Sequence, residues 1–386
     1  MPVASDRARL IAWLGQLVAI PTAYPPGDTT RLCAEIAPEL TRLGYRVGVH
    51  KEVDGLENIV ASIGEGTPHL VFNAHVDTVG VGDRGDWRTD PFVLTAHGDR
   101  LYGLGASNCK GSMAVHLWLA EEIAKRGGPR RGTVTFTFVT DEESLGPHGM
   151  AYLRQAGLVK PTMLCLGAPT SNALITTERG VMWVAVETTG RAAHAGAPET
   201  GDNAIERMLR LIACLQRDLF PRIAARREGE ARSTVNLGQL QGGSNTNVVP
   251  SRCRLEIDRR LLPSESVERA YAEIVETLRA SGEPEGSWSA ELMRGTNGFA
   301  SAADGELVAA LAGAVEQVTG EPARFGTAIG ASDGRYFAED GIEIVNFGPG
   351  GGSEGHAANE FVLASELETS AAIHLALVER LLGWRD

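Results

Sequence analysis

Three short stretches of this 386-residue sequence carry side chains that could hold a metal or move a proton. His75-Val76-Asp77 sets an imidazole beside a carboxylate, the pairing that orients a metal-ligating histidine through its second ring nitrogen. Asp141-Glu142-Glu143 sets three acids in a row, which repel unless a cation or a helix N-terminus offsets them. One carboxylate on a metal and its neighbour free as a general base would use both. His356 follows the glycine-rich run Phe347-Gly-Pro-Gly-Gly-Gly-Ser353 and is a candidate further ligand on a flexible loop. Each stretch alone also fits a solvated turn. Taken together, they point to metal-assisted chemistry.

The elements around these motifs place them at one end of a sheet. Tyr45–Val49, Asn58–Ile63 and His69–Ala74 are apolar runs of strand length, and Thr133–Val139 is β-branched and aromatic. The first motif directly follows His69–Ala74, and the acids directly follow Thr133–Val139. Another strand, Met163–Leu166, ends at Gly167-Ala168-Pro169-Thr170. Helical spacing runs over Arg7–Ile20, Thr29–Leu43 and Cys109–Lys125. Strands alternating with helices predict an α/β fold, a mostly parallel sheet flanked by helices, with ligands beyond the carboxyl ends of the strands.

The middle third has a different texture. Val181–Thr188 and Ser251–Leu262 are strand-like, Asn203–Leu219 and Ser266–Ser281 are helical, and Gly286–Met293 closes the segment. Glu306–Thr319 and Glu366–Leu382 then resume the helical pattern. An α+β domain over residues 180–296 is therefore expected, inserted into a catalytic domain built from residues 1–179 and 297–386.

Composition narrows the partners. Acids outnumber bases 49 to 36, a formal charge of -13, so the chain lacks the basic field that nucleic acid needs. The arginines of Arg207–Arg232 are interleaved with acids and read as a solvated face. Cys33, Cys109, Cys165, Cys214 and Cys253 form no C-x-x-C pair, which argues against a disulfide framework or a cysteine zinc site. No basic segment followed by an apolar run opens the sequence, and no run of ~18 apolar residues occurs. No signal peptide, no membrane partner and a cytoplasmic location are expected.

The order and spacing of the motifs resemble a family of cocatalytic zinc peptidases and deacylases. It includes acetylornithine deacetylase, succinyl-diaminopimelate desuccinylase, aminoacylase and carboxypeptidase G-type glutamate carboxypeptidase. The resemblance runs through Asn73-Ala-His75-Val-Asp77, Asp90-Pro-Phe92, Leu101-Tyr-Gly-Leu-Gly105-Ala-Ser-Asn108-Cys-Lys110-Gly and Thr140-Asp-Glu-Glu143. It continues through Gly190-Arg-Ala-Ala-His194-Ala-Gly196, Asn247-Val-Val-Pro250, Asp258-Arg-Arg260, Ser332-Asp333 and His356…Asn359-Glu360. It implies a zinc-peptidase-like catalytic domain with an inserted lid or dimerisation domain, cleaving an amide in an N-acyl amino acid or peptide-like small molecule. His75 would bind one metal, Glu143 with His356 another, and Asp77 would orient His75. Glu142 would be the general base. His194 would reach a neighbouring subunit's site in a homodimer and stabilise the oxyanion. Asn247 and Arg260 would hold the substrate, the Arg260 guanidinium being suited to a carboxylate. The metal would be Zn2+, or Mn2+ or Co2+ in its place.

Two positions depart from that pattern. Asn108 stands where the family has a bridging aspartate, and Ala168 stands where it has an acidic ligand. Two negative charges are missing, so at most about one metal per subunit is expected instead of two. Three readings stay open: a family hydrolase knocked out by design, a natural one-metal member with altered chemistry, and an inactive ligand-binding relative. His116 is expected to pack within a helix, and His148 to lie in a surface turn.

Overall fold

The computed structural model describes residues 4–328, 330–352 and 355–385, with the side chains of Ala4 and Ser5 left aside. The chain divides into two compact units, one of Met1–Thr176, Ser301–Gly326 and Ser332–Asp386, the other of Thr177–Ala300 with Thr327–Ala331.

The first unit is built on strand His69–His75, whose Leu-Val-Phe-Asn-Ala-His stretch is buried at every residue. A strand apolar on both faces belongs in the middle of a sheet, with helices on each side. It pairs in parallel with Gly132–Val139 on one edge and with Met163–Leu166 on the other, and Glu343–Asn346 extends the parallel set. Antiparallel strands flank this centre, Glu57–Glu65 and then Arg46–Lys51 on one side and Leu174–Glu178 on the other. Helices Lys110–Lys125 and Ala364–Leu382 cover Phe72 with His116 and His374, while Phe136 stacks on Phe72 at 5.6 Å. His116 is thus a core residue. Burying such rings contributes about 2–3 kcal/mol each.

Parallel register carries the functional consequence. His75 pairs with Val139 and Asn73 with Leu166. The strands therefore release His75-Val76-Asp77, Thr140–Glu143 and Gly167-Ala168 at the same edge, the one where α/β sheets bind ligands. A separate three-stranded sheet, Thr95–His97, Arg100–Tyr102 and Phe361–Leu363, brings Glu360 beside the loop that carries Asn108.

The second unit is a four-stranded antiparallel sheet, in the order Thr234–Gly242, Arg252–Leu261, Gly180–Thr189 and Trp288–Thr296. Strand Arg252–Leu261 alternates strictly, and Cys253, Leu255, Ile257 and Leu261 meet Met208, Leu211, Leu215, Ile274 and Leu278 from helices Ala204–Asp218 and Val267–Arg279. Asn203 and Ser266 cap those helices, accepting from Ile205, Glu206 and Arg269 backbone N–H groups. Edge strand Thr234–Gly242 escaped the sequence reading because a bulge between Leu237 and Gln239 breaks its alternation and its face is largely exposed. The arginines of this region are paired: Arg207 with Asp202 and Glu283, Arg226 with Glu265 and Glu273. All five cysteines are free and buried. Among the described residues, no helix is long and apolar enough to cross a membrane.

Candidate metal and catalytic site

The acids are presented by a tight turn. Asp141 sits at φ 62°, a region that costs a non-glycine residue ~1–2 kcal/mol. Its own contacts hold it there: the carboxylate accepts from His148 N–H at 3.1 Å and from the Ser144 hydroxyl, and its carbonyl accepts from Gly146 N–H at 2.9 Å. A Cβ at Gly146 would collide with that carboxylate, so the turn demands glycine there. Asp77, fully buried, anchors the same turn by accepting from Glu143 N–H at 3.0 Å. His148 itself pairs with Glu52 at 2.8 Å, outside the cluster.

Asn108 is delivered by a loop clamped from below. The buried Glu360 carboxylate accepts from the backbone N–H groups of Gly105 at 2.9 Å, Ser107 at 2.9 Å and Asn108 at 2.8 Å. Lys110 Nζ, also buried, is tied to the Ile20 carbonyl at 2.8 Å. The loop therefore has little freedom.

Five side chains converge. His75 Nε2 lies 3.2 Å from Asn108 Oδ1 and 3.9 Å from Glu142 Oε2. Asn108 Nδ2 lies 2.9 Å from Glu143 Oε1 and 2.8 Å from His356 Nε2, and these last two are 2.9 Å apart. His75, Glu142 and Glu143 can each offer a ligand atom within 4.8 Å of one another. His75 is oriented by Nδ1, which donates to the Asp77 carbonyl at 2.9 Å, while the Asp77 carboxylate stands 3.7 Å away. Ala168 follows Leu166 by two residues, as His75 follows its partner Asn73, so the position beside His75 carries only a methyl group.

The cluster is electrostatically loaded. Burial pushes the Glu142 carboxyl well above the usual carboxylate range; His75 and Arg335 pull against that, and Asp333 and Glu143 add to it. Burial alone would lower His75, yet Glu142 and its neighbours outweigh it and hold the imidazole well above its ordinary value. His356 is raised mainly by its hydrogen bond to Glu143. The sequence reading missed Arg335 and Tyr336, although they stand just after the motif residues Ser332-Asp333. Arg335 Nη1 is 3.6 Å from Glu142 Oε1, and Asp333 accepts from Asn73 at 3.0 Å.

The other expected residues belong to the second unit. His194 and Asn247 are exposed on paired loops, where Ala195 N–H donates to the Asn247 carbonyl at 3.0 Å. His194 Nδ1 accepts from Gly196 N–H at 3.0 Å. Arg260 lies on strand Arg252–Leu261 and pairs with Asp258 at 2.9 Å.

Known proteins resemble this chain in sequence and in fold. Succinyl-diaminopimelate desuccinylase of Nitrosococcus oceani is 28% identical over 359 residues, covering 90% of this chain and 92% of that protein. The M20 family metallo-carboxypeptidase Sso-CP2 from Sulfolobus solfataricus superposes with a TM-score of 0.77 at 16% identity, covering 98% and 99% of the two chains. The YXEP protein of Bacillus subtilis, described as a dinuclear metal binding peptidase, gives 0.76 at 16% identity over 99% and 100%. A model of peptidase family M20/M25/M40 matches residues 71–380: the chain belongs to that family of metallopeptidase-type hydrolases.

Proposed function

We propose that this chain hydrolyses the amide of a small N-acyl amino acid or peptide-like substrate bearing a free carboxylate, using one divalent cation per subunit. The observation that carries the proposal is the triangle of Asn108 Nδ2, Glu143 Oε1 and His356 Nε2, with sides of 2.8–2.9 Å, set beside His75 and flanked by Glu142. One imidazole nitrogen cannot both accept from Asn108 Nδ2 and donate to Glu143, so one side of the triangle lacks its hydrogen bond, and the lone pairs of Glu143 Oε1 and His356 Nε2 face one point that a cation would satisfy. A half-turn of the Asn108 amide would offer Oδ1 as a further donor. The set suits one cation and not a bridged pair, because a neutral amide replaces the bridging carboxylate and Ala168 offers no atom.

His75, Glu143 and His356 would hold the cation, whose chemistry when bound is Lewis-acid polarisation of the scissile carbonyl. Glu142 is beside the cluster and would take the proton from the attacking water and return it to the leaving amine. The Gly196 N–H donated to His194 Nδ1 leaves the neutral ring its proton on Nε2, a donor suited to an oxyanion. The terminal nitrogens of Arg260, whose Nε is held by Asp258, would take the substrate carboxylate beside Asn247. A homodimer through the second unit would bring His194 to its partner's site. Edge strand Thr234–Gly242, with Leu240 52% exposed, and Leu209 on the neighbouring helix, also 52% exposed, form a surface that a second copy could extend.

Incubation with a panel of N-acyl amino acids and Zn2+, Mn2+ or Co2+ tests the reading. Metal-dependent hydrolysis is expected, and Glu142→Gln should lower turnover by roughly 10²–10⁴-fold with little effect on KM. Binding without turnover under every metal would instead establish the ligand-binding reading.

A further inference from the structure

Arg335 is almost wholly enclosed, its side chain 2% exposed, and its Nε and Nη1 have no hydrogen-bond partner among the described residues. A buried cation needs a reason. Three contacts fix it: the guanidinium lies 4.4 Å from the centre of the Tyr336 ring, Nη2 donates to the Tyr336 hydroxyl at 2.9 Å, and Nη2 is 3.8 Å from Asp333 Oδ1. Tyr336 in turn donates to the Gly146 carbonyl at 2.8 Å, in the turn that presents the acids. Arg335 is thereby locked to the frame that carries Glu142.

The two carboxylate oxygens of Glu142 face different partners. Oε1 is 3.6 Å from Arg335 Nη1, and Oε2 is 3.9 Å from His75 Nε2. Glu142 also belongs to the group that can gather ligand atoms within 4.8 Å. It is therefore close enough to become a ligand, and a ligated carboxylate is a poor base. The pull is strongest in this chain, where Asn108 and Ala168 leave a cation short of negative donors. We infer that Arg335 is a positioning residue that competes with the cation for the Glu142 carboxylate and so keeps it free as a base. This rests on the one-cation reading above and adds a separate claim to it. Arginine suits the task because its charge is permanent and its planar group is held by Tyr336.

Co2+ affinity by calorimetry, together with the visible spectrum of the Co2+-loaded protein, reads the competition without any substrate. Arg335→Met should tighten Co2+ binding by on the order of 10-fold, the scale on which groups outside the ligand shell move metal affinity. Its spectrum should shift as Glu142 joins the shell. Arg335→Lys, which keeps the charge, should stay within about twofold of the unmodified chain. Arg335→Gln repeats the test with a second neutral side chain should the first fail to fold. In a Glu142→Gln background, neutralising Arg335 should change neither affinity nor spectrum. Unchanged Co2+ affinity in folded neutral variants would overturn the inference. So would a gain that persists in the Glu142→Gln background, since it would then be charge repulsion acting directly on the cation. No Co2+ binding by the unmodified chain would overturn the one-cation reading and this inference with it.

Discussion

Glu360 holds the Asn108 loop by three backbone hydrogen bonds, and removing it should cost both stability and the metal site. Its buried carboxylate accepts from Gly105, Ser107 and Asn108 at 2.9, 2.9 and 2.8 Å. Hydrogen bonds to a charged acceptor contribute ~1.5–3 kcal/mol each, and buried donors left without acceptors carry a comparable penalty. Burial returns part of this, because it raises the Glu360 pKa and so already disfavours the charged carboxylate. Glu360→Ala should then destabilise by about 4 kcal/mol. Glu360→Gln keeps an oxygen for Ser107 and Asn108 but turns an amide N–H toward Gly105 N–H, so it should cost about 2 kcal/mol. Urea unfolding in chelator gives the stabilities, and Co2+ titration shows whether the loop still presents Asn108. A Glu360→Ala variant within 1 kcal/mol of the unmodified chain, with unaltered Co2+ affinity, would refute the clamp.

Other expectations concern charge and assembly. An unfolded histidine titrates near ~6.5, whereas burial pushes His374 down to about 4. The unfolded chain therefore binds the extra proton across that interval, and stability should fall by ~3 kcal/mol as pH drops from 6.5 to 4, levelling below. His374→Leu should flatten this slope in urea titrations; an unchanged slope would exclude the residue as its source. Asn108→Asp with Ala168→Glu should raise metal occupancy toward two and increase amide hydrolysis together, each single change doing less; occupancy that rises without hydrolysis would mean a different chemistry. Leu240→Glu should shift light scattering from dimer to monomer and lower hydrolysis as His194→Ala does; full activity in a monomer would remove His194 from the partner's site.

How much was legible in the sequence depended on whether a residue sits in a local pattern. Leu70–Ala74 and Val134–Val139 announce themselves by mostly apolar, β-branched and aromatic runs of strand length, and the parallel register of the two strands places His75 and the acids at one end of the sheet. Asn108 and Ala168 stood out only against a family pattern, since neither residue type attracts notice on its own. The edge strand Thr234–Gly242 stayed hidden because its outward residues are exposed and its bulge interrupts the period of two. Arg335 was not marked at all and Glu360 only as part of a family motif, because their roles depend on contacts with residues 193 and 252 or more positions away. Long-range convergence of that kind leaves no mark on local spacing.

The most direct measurement is the number of cations held per subunit. Native mass spectrometry of the unmodified chain, loaded with excess Zn2+ or Co2+ and then desalted, should show about one, with N-acyl amino acid hydrolysis that disappears on chelation and returns with the metal. Two tightly held cations would contradict the central claim, because ligands other than His75, Glu143 and His356 would then replace those missing at Asn108 and Ala168.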